Sequence, residues 1–252
     1  LWGMNNLGAN QGLWESRALI EAKAKGCRLV VVDPNFTETA QKADEWVAIQ
    51  PGTDGAMALA MCKVIIDEKL YDEAFVNAHC EGFNGFRDHL AEKGYTPEWA
   101  EGICGIDAER IKRLAREFAT TKPAMSAIFK GSGYYTNGHD AGRACYILDA
   151  ICGEVDKPGN INLKDWAPLG APVEIPADAI KQPEKDPLHV AMGYPLAPDL
   201  PNSKLPEAVI DGKPYPVKAW FVHATNPVMS DPNRERVQEM FKHLEVAVSM
   251  EL

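Results

Sequence analysis

The chain has 252 residues, of which 46% are hydrophobic and 25% are charged, as in an ordinary globular protein. Its net charge of −10 and its lack of any Lys/Arg-rich run exclude the basic surface that nucleic acids and anionic membranes require. No stretch approaches the ~18 consecutive apolar residues of a membrane-spanning helix. We therefore expect no nucleic-acid partner and no direct membrane insertion.

The first half of the chain alternates helical and strand patterns. Residues 13–25 have helical periodicity, and a short apolar strand over 29–32 ends at Asp33-Pro34. A second strand is predicted over 46–49, and Thr53 or Asp54 then caps a long apolar helix. The remaining predictions are helices over 72–93, 108–120 and 140–152, a strand over 124–129 and a loop at GSGYYTNG (131–138). This alternation predicts a mostly parallel α/β sheet covered on both faces.

The second half begins with a change in composition. Twelve of the 18 prolines lie between Pro158 and Pro216, which predicts a long irregular connection. Regular patterns resume with a strand over 217–222, a helix over 233–243 and a strand over 246–249. The fold class predicted is α/β, with Rossmann-like parallel sheets in two lobes. The predicted domains are an α/β lobe at 1–158, a Pro-rich irregular connection at 159–216 and part of a second α/β lobe at 217–252.

The six cysteines do not form a metal-binding pattern. None lies in a CxxC pair, and none stands near a histidine at a zinc-like spacing. Free cysteine is among the most buried residue types. We therefore interpret them as small buried hydrophobes and predict no metal site in this chain.

Polar or small residues follow each predicted strand. Open α/β sheets bind ligands at the carboxyl ends of their strands. Turn chemistry alone would explain any one of these segments. The segments are WGMNN (2–6), DPNFTET (33–39), PGTD (51–54), GSG (131–133) and HATNPVMS (223–230).

Two acids at successive strand ends point to a nucleoside. A carboxylate accepts two hydrogen bonds at fixed geometry, which suits a ribose diol or the N1–H and 2-amino group of guanine. Asp33 and Asp54 would grip one such nucleoside, while Gly3, Asn5 and Gly131 approach phosphates or a flat ring system. An NAD-binding dehydrogenase would need a G-x-G-x-x-G after the first strand, which is missing. A cofactor-free α/β interaction module stays open, although it need not keep both acids.

The runs G-x-N (3–5), DPxxTxTAxxAD (33–44) and PGTDxAxxLA (51–60) resemble the molybdopterin oxidoreductases of the dimethyl-sulfoxide-reductase superfamily. The resemblance continues in family order through GRACYILDAICGEVDKPGNI (142–161) and covers nearly the whole chain. The segments at 51–76 and 212–233 are most similar to thiosulfate/polysulfide reductase catalytic subunits. The resemblance implies a bis-molybdopterin guanine dinucleotide (bis-MGD) cofactor carrying molybdenum or tungsten.

The resemblance also implies roles for individual residues at the nucleotide end. Gly3 and Asn5 would approach the cofactor phosphates, and Asp33 and Thr37 would meet the ribose and guanine. Family members often have Arg after the Asp-Pro, where this chain has Asn35. One cationic contact of the family is therefore not expected here.

Further residues are implied for the rest of the cofactor. Gly52 and Asp54 would lie close to the same guanosine, and Gly131, Ser132 and Gly133 would lie near a pterin, facing the substrate funnel. Asn226 and Ser230 would serve the second dinucleotide from the second lobe. No catalytic residue is predicted in this chain, because the metal ligand of the family comes upstream of the matching region.

The activity implied is that of an anaerobic respiratory oxidoreductase reducing thiosulfate or polysulfide, small inorganic sulfur substrates. Other superfamily substrates stay open: arsenate, tetrathionate, formate, or a non-redox hydration. The family implies an Fe–S cluster in an N-terminal region, an Fe–S electron-transfer subunit, a membrane anchor subunit and export to the periplasm or the outer face of the membrane. The chain begins Leu1-Trp2-Gly3 and ends just past a strand. We therefore expect a central piece of a longer protein that is inactive by itself.

Overall fold

A computed structural model describes residues 1–8, 13–163, 186–194, 200 and 202–250. The chain forms two compact units, Leu1–Ala167 and Pro168–Leu252. Much of the Pro-rich connection predicted at 159–216 lies outside the described residues. The lobe boundaries inferred from the sequence stay predictions.

The secondary structure alternates helices with short strands, as expected for the α/β class. The helices are α1 (Leu13–Ala24), α2 (Glu38–Lys42), α3 (Asp54–Asp67), α4 (Glu73–His79), α5 (Phe83–Lys93), α6 (Pro97–Cys104), α7 (Ala108–Thr120), α8 (Lys130–Gly133), α9 (Gly138–Ile151), α10 (Leu188–Ala191), a 3₁₀ turn at Asn202–Lys204, α11 (Leu205–Asp211), α12 (Pro227–Ser230) and α13 (Arg234–Lys242). The strands are β1 (Val30–Val32), β2 (Glu45–Val47), β3 (Ala219–His223) and β4 (Val246–Met250). Among the described residues, no helix is long and apolar enough to cross a membrane.

The sheet of the first unit is parallel, as predicted. Strands β1 and β2 pair in register from Val30 with Glu45 to Val32 with Val47. Trp2 forms parallel bridges with Val32 on one side and with Ile128 on the other. Four parallel backbone segments therefore lie side by side, in the order β2, β1, Trp2 and Ile128, and their carboxyl ends share one edge.

Two predictions around residue 130 differ from the structure. The strand predicted over 124–129 pairs as a strand only at Ile128, because its backbone meets the short segment around Trp2 and not a full strand. The first residues of the predicted GSGYYTNG loop form α8, in which Tyr134 N–H donates to Lys130 O at 3.1 Å. The short side chains of this stretch allow such a tight turn next to another backbone.

An apolar helix forms the centre of the first unit. Helix α3 packs against α6, α7 and α9, and Met57 and Ile65 on it are almost completely buried. Ile111 of α7 and Leu148 of α9 complete this core. Each fully buried side chain of this size contributes about 1.5–3 kcal/mol to folding. The core thus holds the helices against the sheet from which the candidate site projects.

The predicted N-terminal cap is observed for α7, whereas the start of α3 differs from the prediction. Asp107 caps α7 as predicted, since its Oδ1 accepts from Arg110 N–H at 3.1 Å. Thr53 stands at the N-cap of α3, but its side chain makes no capping bond. Its hydroxyl instead donates to Gln50 O at 2.7 Å, which tightens the turn before the helix.

The second unit contains a parallel pair of strands. Strands β3 and β4 pair from Ala219 with Val246 to His223 with Met250. Helix α11 lies within the segment for which the sequence predicts an irregular connection. It forms because Val209 packs with Val237 and Met240 of α13 in a small apolar cluster, a long-range contact that local composition does not reveal.

The cysteines are all free, and most are buried, as expected for small hydrophobes. Cys62, Cys104, Cys145 and Cys152 are buried, and Cys80 is half-buried. Cys27 is exposed, which contradicts the expectation for that residue. It directly follows Gly26, at the surface turn after α1.

Candidate functional site

The candidate site is the carboxyl edge of the sheet in the first unit. Residues after Trp2, β1, β2 and Ile128 leave the sheet at this edge because all four segments run parallel. Of the predicted site residues, nine belong to these connections: Gly3, Asn5, Asp33, Thr37, Gly52, Asp54, Gly131, Ser132 and Gly133. The predicted convergence of strand ends is therefore seen in the fold.

The first and last of these segments approach each other closely at two glycines. Gly131 N–H donates to Gly3 O at 3.2 Å. A Cβ atom on Gly3 would lie 2.6 Å from Ser132 N, and one on Gly131 would clash with the Gly3 carbonyl. Gly3 also has φ of +56°, which disfavours other residues. Both glycines are required for this close approach.

A buried hydrogen bond joins the α3 terminus to the α8 turn. Ser132 Oγ donates to Asp54 Oδ1 at 2.7 Å, and both residues are buried. Burial raises the pKa of Asp54 and the nearby charge of Asp33 adds to this, whereas the Ser132 hydrogen bond opposes it. The family resemblance implies a role for Asp54 at the guanosine and for Ser132 near the pterin, and the structure adds their direct contact.

Asp33 is buried at the end of β1 and organises the turn that follows. Its Oδ1 accepts from Asn35 N–H at 2.8 Å, and its carbonyl accepts from Trp46 Nε1 at 2.8 Å. Thr37 caps α2, with its Oγ1 accepting from Ala40 N–H at 3.2 Å. These bonds show that turn chemistry holds the segment, and they leave the carboxylate of Asp33 at the edge of the sheet.

Gly52 is held by two residues that the sequence did not assign to it. It has φ of +78°, and a Cβ atom there would lie 3.1 Å from Cδ1 of Tyr135. Asn137 Nδ2 donates to Gly52 O at 3.0 Å. The contact spans 85 residues of sequence, so no local pattern could have identified it.

Gly133 differs from its two neighbours in the GSG run. Nothing lies within 4 Å of a Cβ atom built on Gly133, although its carbonyl lies close under Gly138. Gly131 and Ser132 thus contact the other strand ends, whereas only open space lies where a side chain of Gly133 would point.

The side chain of Asn5 makes three hydrogen bonds to helix α2. Its Oδ1 accepts from Thr39 Oγ1 at 2.9 Å and from Thr39 N–H at 3.2 Å. Its Nδ2 donates to Glu38 Oε2 at 2.8 Å. The predicted contact of Asn5 with cofactor phosphates stays a prediction.

The two predicted residues of the second unit follow β3. Asn226 lines a shallow pocket of about 210 Å³, together with Thr225 and Ser249. Ser230 Oγ donates to Asn226 O at 3.0 Å. Thr225 belongs to the predicted segment 223–230, whereas Ser249 was not expected here, and the parallel pairing of β3 and β4 brings the two together.

The described part of the chain holds no group of three or more His, Cys, Asp or Glu side chains suited to a metal ion. The chemistry available at the first unit's edge is hydrogen bonding by carboxylates and by glycine backbone. Such groups bind and orient a polar ligand.

Comparison with known proteins identifies relatives along the whole chain. The family model described as molybdopterin oxidoreductase matches residues 1–252. The F420-dependent formate dehydrogenase subunit alpha of Methanocaldococcus jannaschii is 32% identical over 94% of this chain and 36% of its own length. The thiosulfate reductase molybdopterin-containing subunit PhsA of Salmonella typhimurium is 31% identical over 94% of this chain and 33% of its own.

A solved structure has the same fold. Acetylene hydratase from Pelobacter acetylenicus superposes with a TM-score of 0.74 at 27% sequence identity, covering 98% of this chain and 38% of that one. The chain thus spans about a third of the length of the curated relatives it matches.

Proposed function

The chain belongs to the molybdopterin oxidoreductase family, and we propose that it forms the central cofactor-binding region of a catalytic subunit. The carboxyl edge of the first unit would bind one guanine dinucleotide of a bis-MGD cofactor. The observation that carries the proposal is the convergence of strand ends that the Ser132–Asp54 hydrogen bond fixes. It places carboxylate and bare glycine backbone at one edge of a parallel sheet, where such sheets bind nucleotides.

The residues at this edge fit a guanine nucleotide by their chemistry. Asp33 and Asp54 supply buried carboxylates as acceptors for the ribose diol or for the N1–H and 2-amino group of guanine. Burial is the largest cause that raises the pKa of Asp54, and the charge of Asp33 adds to it. Hydrogen bonds from guanine would stabilise its ionised form and lower that pKa again. The two acids would therefore orient the nucleoside and choose guanine over adenine.

Glycine backbone would serve the phosphates and the pterin. Gly3 and Gly131 let two strand ends approach each other with no side chain between them, and the space that a Cβ atom on Gly133 would occupy is open. Thr37 and Gly52 shape the two turns around the guanosine. When bound, the molybdenum or tungsten pterin would supply two-electron redox chemistry, and the protein supplies binding and orientation.

Asn226 and Ser230 would serve the second dinucleotide. Asn226 lies on the pocket at the carboxyl ends of β3 and β4, the position at which parallel strands bind ligands. Ser230 would act mainly through Asn226, since its hydroxyl donates to the Asn226 carbonyl.

The substrate we propose for the full-length protein is thiosulfate or polysulfide. The similarity to a thiosulfate reductase subunit supports this choice. An equal similarity to a formate dehydrogenase subunit supports formate as the second candidate, and the acetylene hydratase fold keeps hydration as a third. Metal ligand and substrate funnel would decide among these reactions; no metal ligand is assigned within this chain, and only Gly131, Ser132 and Gly133 are expected to face the funnel.

Electron transfer to the cofactor would need groups beyond these residues. We propose an Fe–S cluster in an N-terminal region, an Fe–S electron-transfer subunit and a membrane anchor subunit, with the complex exported to the periplasm or the outer face of the membrane. The 252 residues alone would be inactive, because a metal without its protein ligand is neither positioned nor shielded.

The proposal is tested with the full-length protein produced where the pterin pathway is available. Guanine released by acid and metal by mass spectrometry are counted per chain, and two guanines with one molybdenum or tungsten are expected for bis-MGD. In Asp54→Asn the amide keeps an acceptor for Ser132 but loses the charge and the second acceptor, so guanine content should fall strongly. Ser132→Ala keeps the carboxylate and should lose less.

Two results would contradict the proposal. Folded wild-type protein without guanine would favour a cofactor-free α/β interaction module. Asp54→Asn with the guanine content of the wild type would remove Asp54 from nucleotide recognition.

A further inference from the structure

The side chain of Asn5 joins the first strand end to helix α2. Its oxygen accepts two hydrogen bonds from Thr39, and its nitrogen donates to the carboxylate of Glu38. Thr39 is completely buried and Glu38 is exposed. The amide therefore bridges a buried hydroxyl and a surface carboxylate on one helix.

The rest of the loop closes around the same contacts. Leu7 N–H donates to Thr39 Oγ1 at 3.0 Å, so the Thr39 hydroxyl both accepts from the loop and donates to it. A Cβ atom on Gly8 would lie 2.5 Å from Glu38 Oε2 and would clash with the Asn5 amide. Residues 5–8 thus pack tightly on the first turn of α2, and we call these residues the Asn5 loop.

The charge beside Asn5 is negative. The Asn5 hydrogen bond lowers the pKa of Glu38, whose carboxylate is ionised at neutral pH. An ionised carboxylate that accepts from the Asn5 amide repels a phosphate approaching the same nitrogen. The N–H groups of Gly3 and Gly131 are themselves engaged, donating to Val32 O at 2.9 Å and to Gly3 O at 3.2 Å. A phosphate would therefore meet less repulsion at backbone away from the Glu38 carboxylate than at the Asn5 amide.

We propose that Asn5 is a positioning residue: with Glu38 and Thr39 it fixes the Asn5 loop so that the backbone leaving Gly3 faces the cofactor, and its side chain does not bind the phosphates. This inference rests on the proposed function, because it names how one strand end of that same site is held. It differs from the role that family resemblance implies for Asn5, which is direct approach to the phosphates.

Exchanging donor and acceptor in the hydrogen bond between Asn5 and Glu38 tests whether Asn5 positions the loop or binds phosphate directly. Asn5→Asp places a carboxylate against Glu38, so like charges should push the loop off α2 and lower the guanine content several-fold. In Asn5→Asp with Glu38→Gln, the new amide at position 38 donates to the new carboxylate at position 5. Both acceptor bonds from Thr39 can also persist. Positioning predicts that the double variant regains guanine and metal content close to that of the wild type.

Direct phosphate binding predicts the opposite result for the double variant. The carboxylate at position 5 would still repel phosphate, so guanine content would stay as low as in Asn5→Asp. That result, or an Asn5→Asp variant that loads like the wild type, would overturn the inference. Should Asn5→Asp fail to fold, the double variant is compared with Glu38→Gln alone, which keeps an acceptor for Asn5 and should load normally.

A control variant and the wild-type protein show whether a negative result concerns Asn5 or the proposed function as a whole. Asn84→Asp introduces the same new charge at an exposed position on α5 and should leave loading unchanged. All variants are full-length proteins, and thermal unfolding verifies that each is folded. Wild-type protein without guanine would overturn the proposed function and this inference together. A loaded wild type with an unrescued double variant overturns the inference alone.

Discussion

The two units pair parallel strands in the same way but bury them to different degrees. In the first unit, Val31 and Val47 are completely buried. In the second unit, Phe221 is 63% exposed and Val246 is 48% exposed. Parallel sheets are normally covered on both faces. The comparison teaches that strand pairing alone does not create a core, and that the first unit owes its core to helices packed on its sheet.

The difference follows from the helices that each sequence supplies. Helix α3 is apolar on most of its surface and is enclosed by α6, α7 and α9. The cluster of the second unit has Val209, Val237 and Met240 as its buried members. The free energy of unfolding should therefore be more sensitive to substitution in the first unit.

The largest effect is expected at the centre of the first unit. Leu148→Ala removes a side chain that is 1% exposed and leaves a cavity between α9 and α3. This change should cost about 3 kcal/mol. Phe221→Ser also removes a large apolar side chain, but from the exposed strand of the second unit. It should change the free energy of unfolding by no more than about 0.5 kcal/mol. Urea unfolding of the 252-residue chain, with hydrogen exchange to follow each unit, measures both.

Equal losses at the two positions would contradict this comparison. They would mean that Phe221 is buried in solution to the same extent as Leu148.

An intermediate, pH-dependent effect is expected from a buried acid of the first unit. Asp149 is completely buried, its Oδ1 accepts from Ser126 N–H at 2.7 Å, and its Oδ2 has no partner among the described residues. Burial raises its pKa from 3.8 to about 7. The folded chain therefore holds this proton more tightly than the unfolded chain, and its stabilising effect is lost as pH rises from about 4 through about 7.

Asp149→Asn removes that titration and keeps an acceptor for Ser126. At pH 8 the variant should be more stable than the wild type by about 2 kcal/mol, while at pH 4 the two should be similar. Urea unfolding across this pH range gives the free energy of unfolding of both proteins as a function of pH. If the free energies of unfolding of the wild type and the variant changed equally with pH, Asp149 would not control the pH dependence of stability. Asp67→Asn, at an exposed position, provides the control.

The smallest effect separates two glycines of the first unit. A Cβ atom on Gly131 would meet the Gly3 carbonyl, so Gly131→Ala should cost about 1.5 kcal/mol and push the two strand ends apart. Nothing lies within 4 Å of a Cβ atom on Gly102 in α6. Gly102→Ala should therefore stabilise the chain by about 0.5–1 kcal/mol.

Thermal unfolding of Gly131→Ala and Gly102→Ala measures the change in stability that each substitution causes. A stabilising Gly131→Ala would contradict the close backbone approach that defines the candidate site.

Much of the fold was predictable because it depends on local patterns. The periodicity of α7 and its Asp107 cap, and the apolar runs of β1 and β2, are properties of neighbouring residues. The helical turn of α8 and the helix α11 were not predicted. Both form through contacts with residues far away in sequence, which override weak local preferences.

The candidate site also has features that the sequence predicts and features that it does not. Gly3, Asp33 and Asp54 could be chosen from the sequence because they follow strands, and strand ends of a parallel sheet meet at one edge. Tyr135 and Asn137 could not be assigned to Gly52, and the bonds of Asn5 to Glu38 and Thr39 could not be foreseen. Side-chain partners across such distances depend on how the helices pack.

The sequence by itself therefore determined the α/β class, the parallel strands, the family and the set of strand-end residues, since each of these depends on periodicity or on a contiguous motif. Only the tertiary structure decided which of those residues touch. Asp54 bonds to Ser132 across 78 residues, because α3 and α8 both pack on α9. Asn5 bonds to Glu38 of α2 across 33 residues, because α2 packs on β1 and β2.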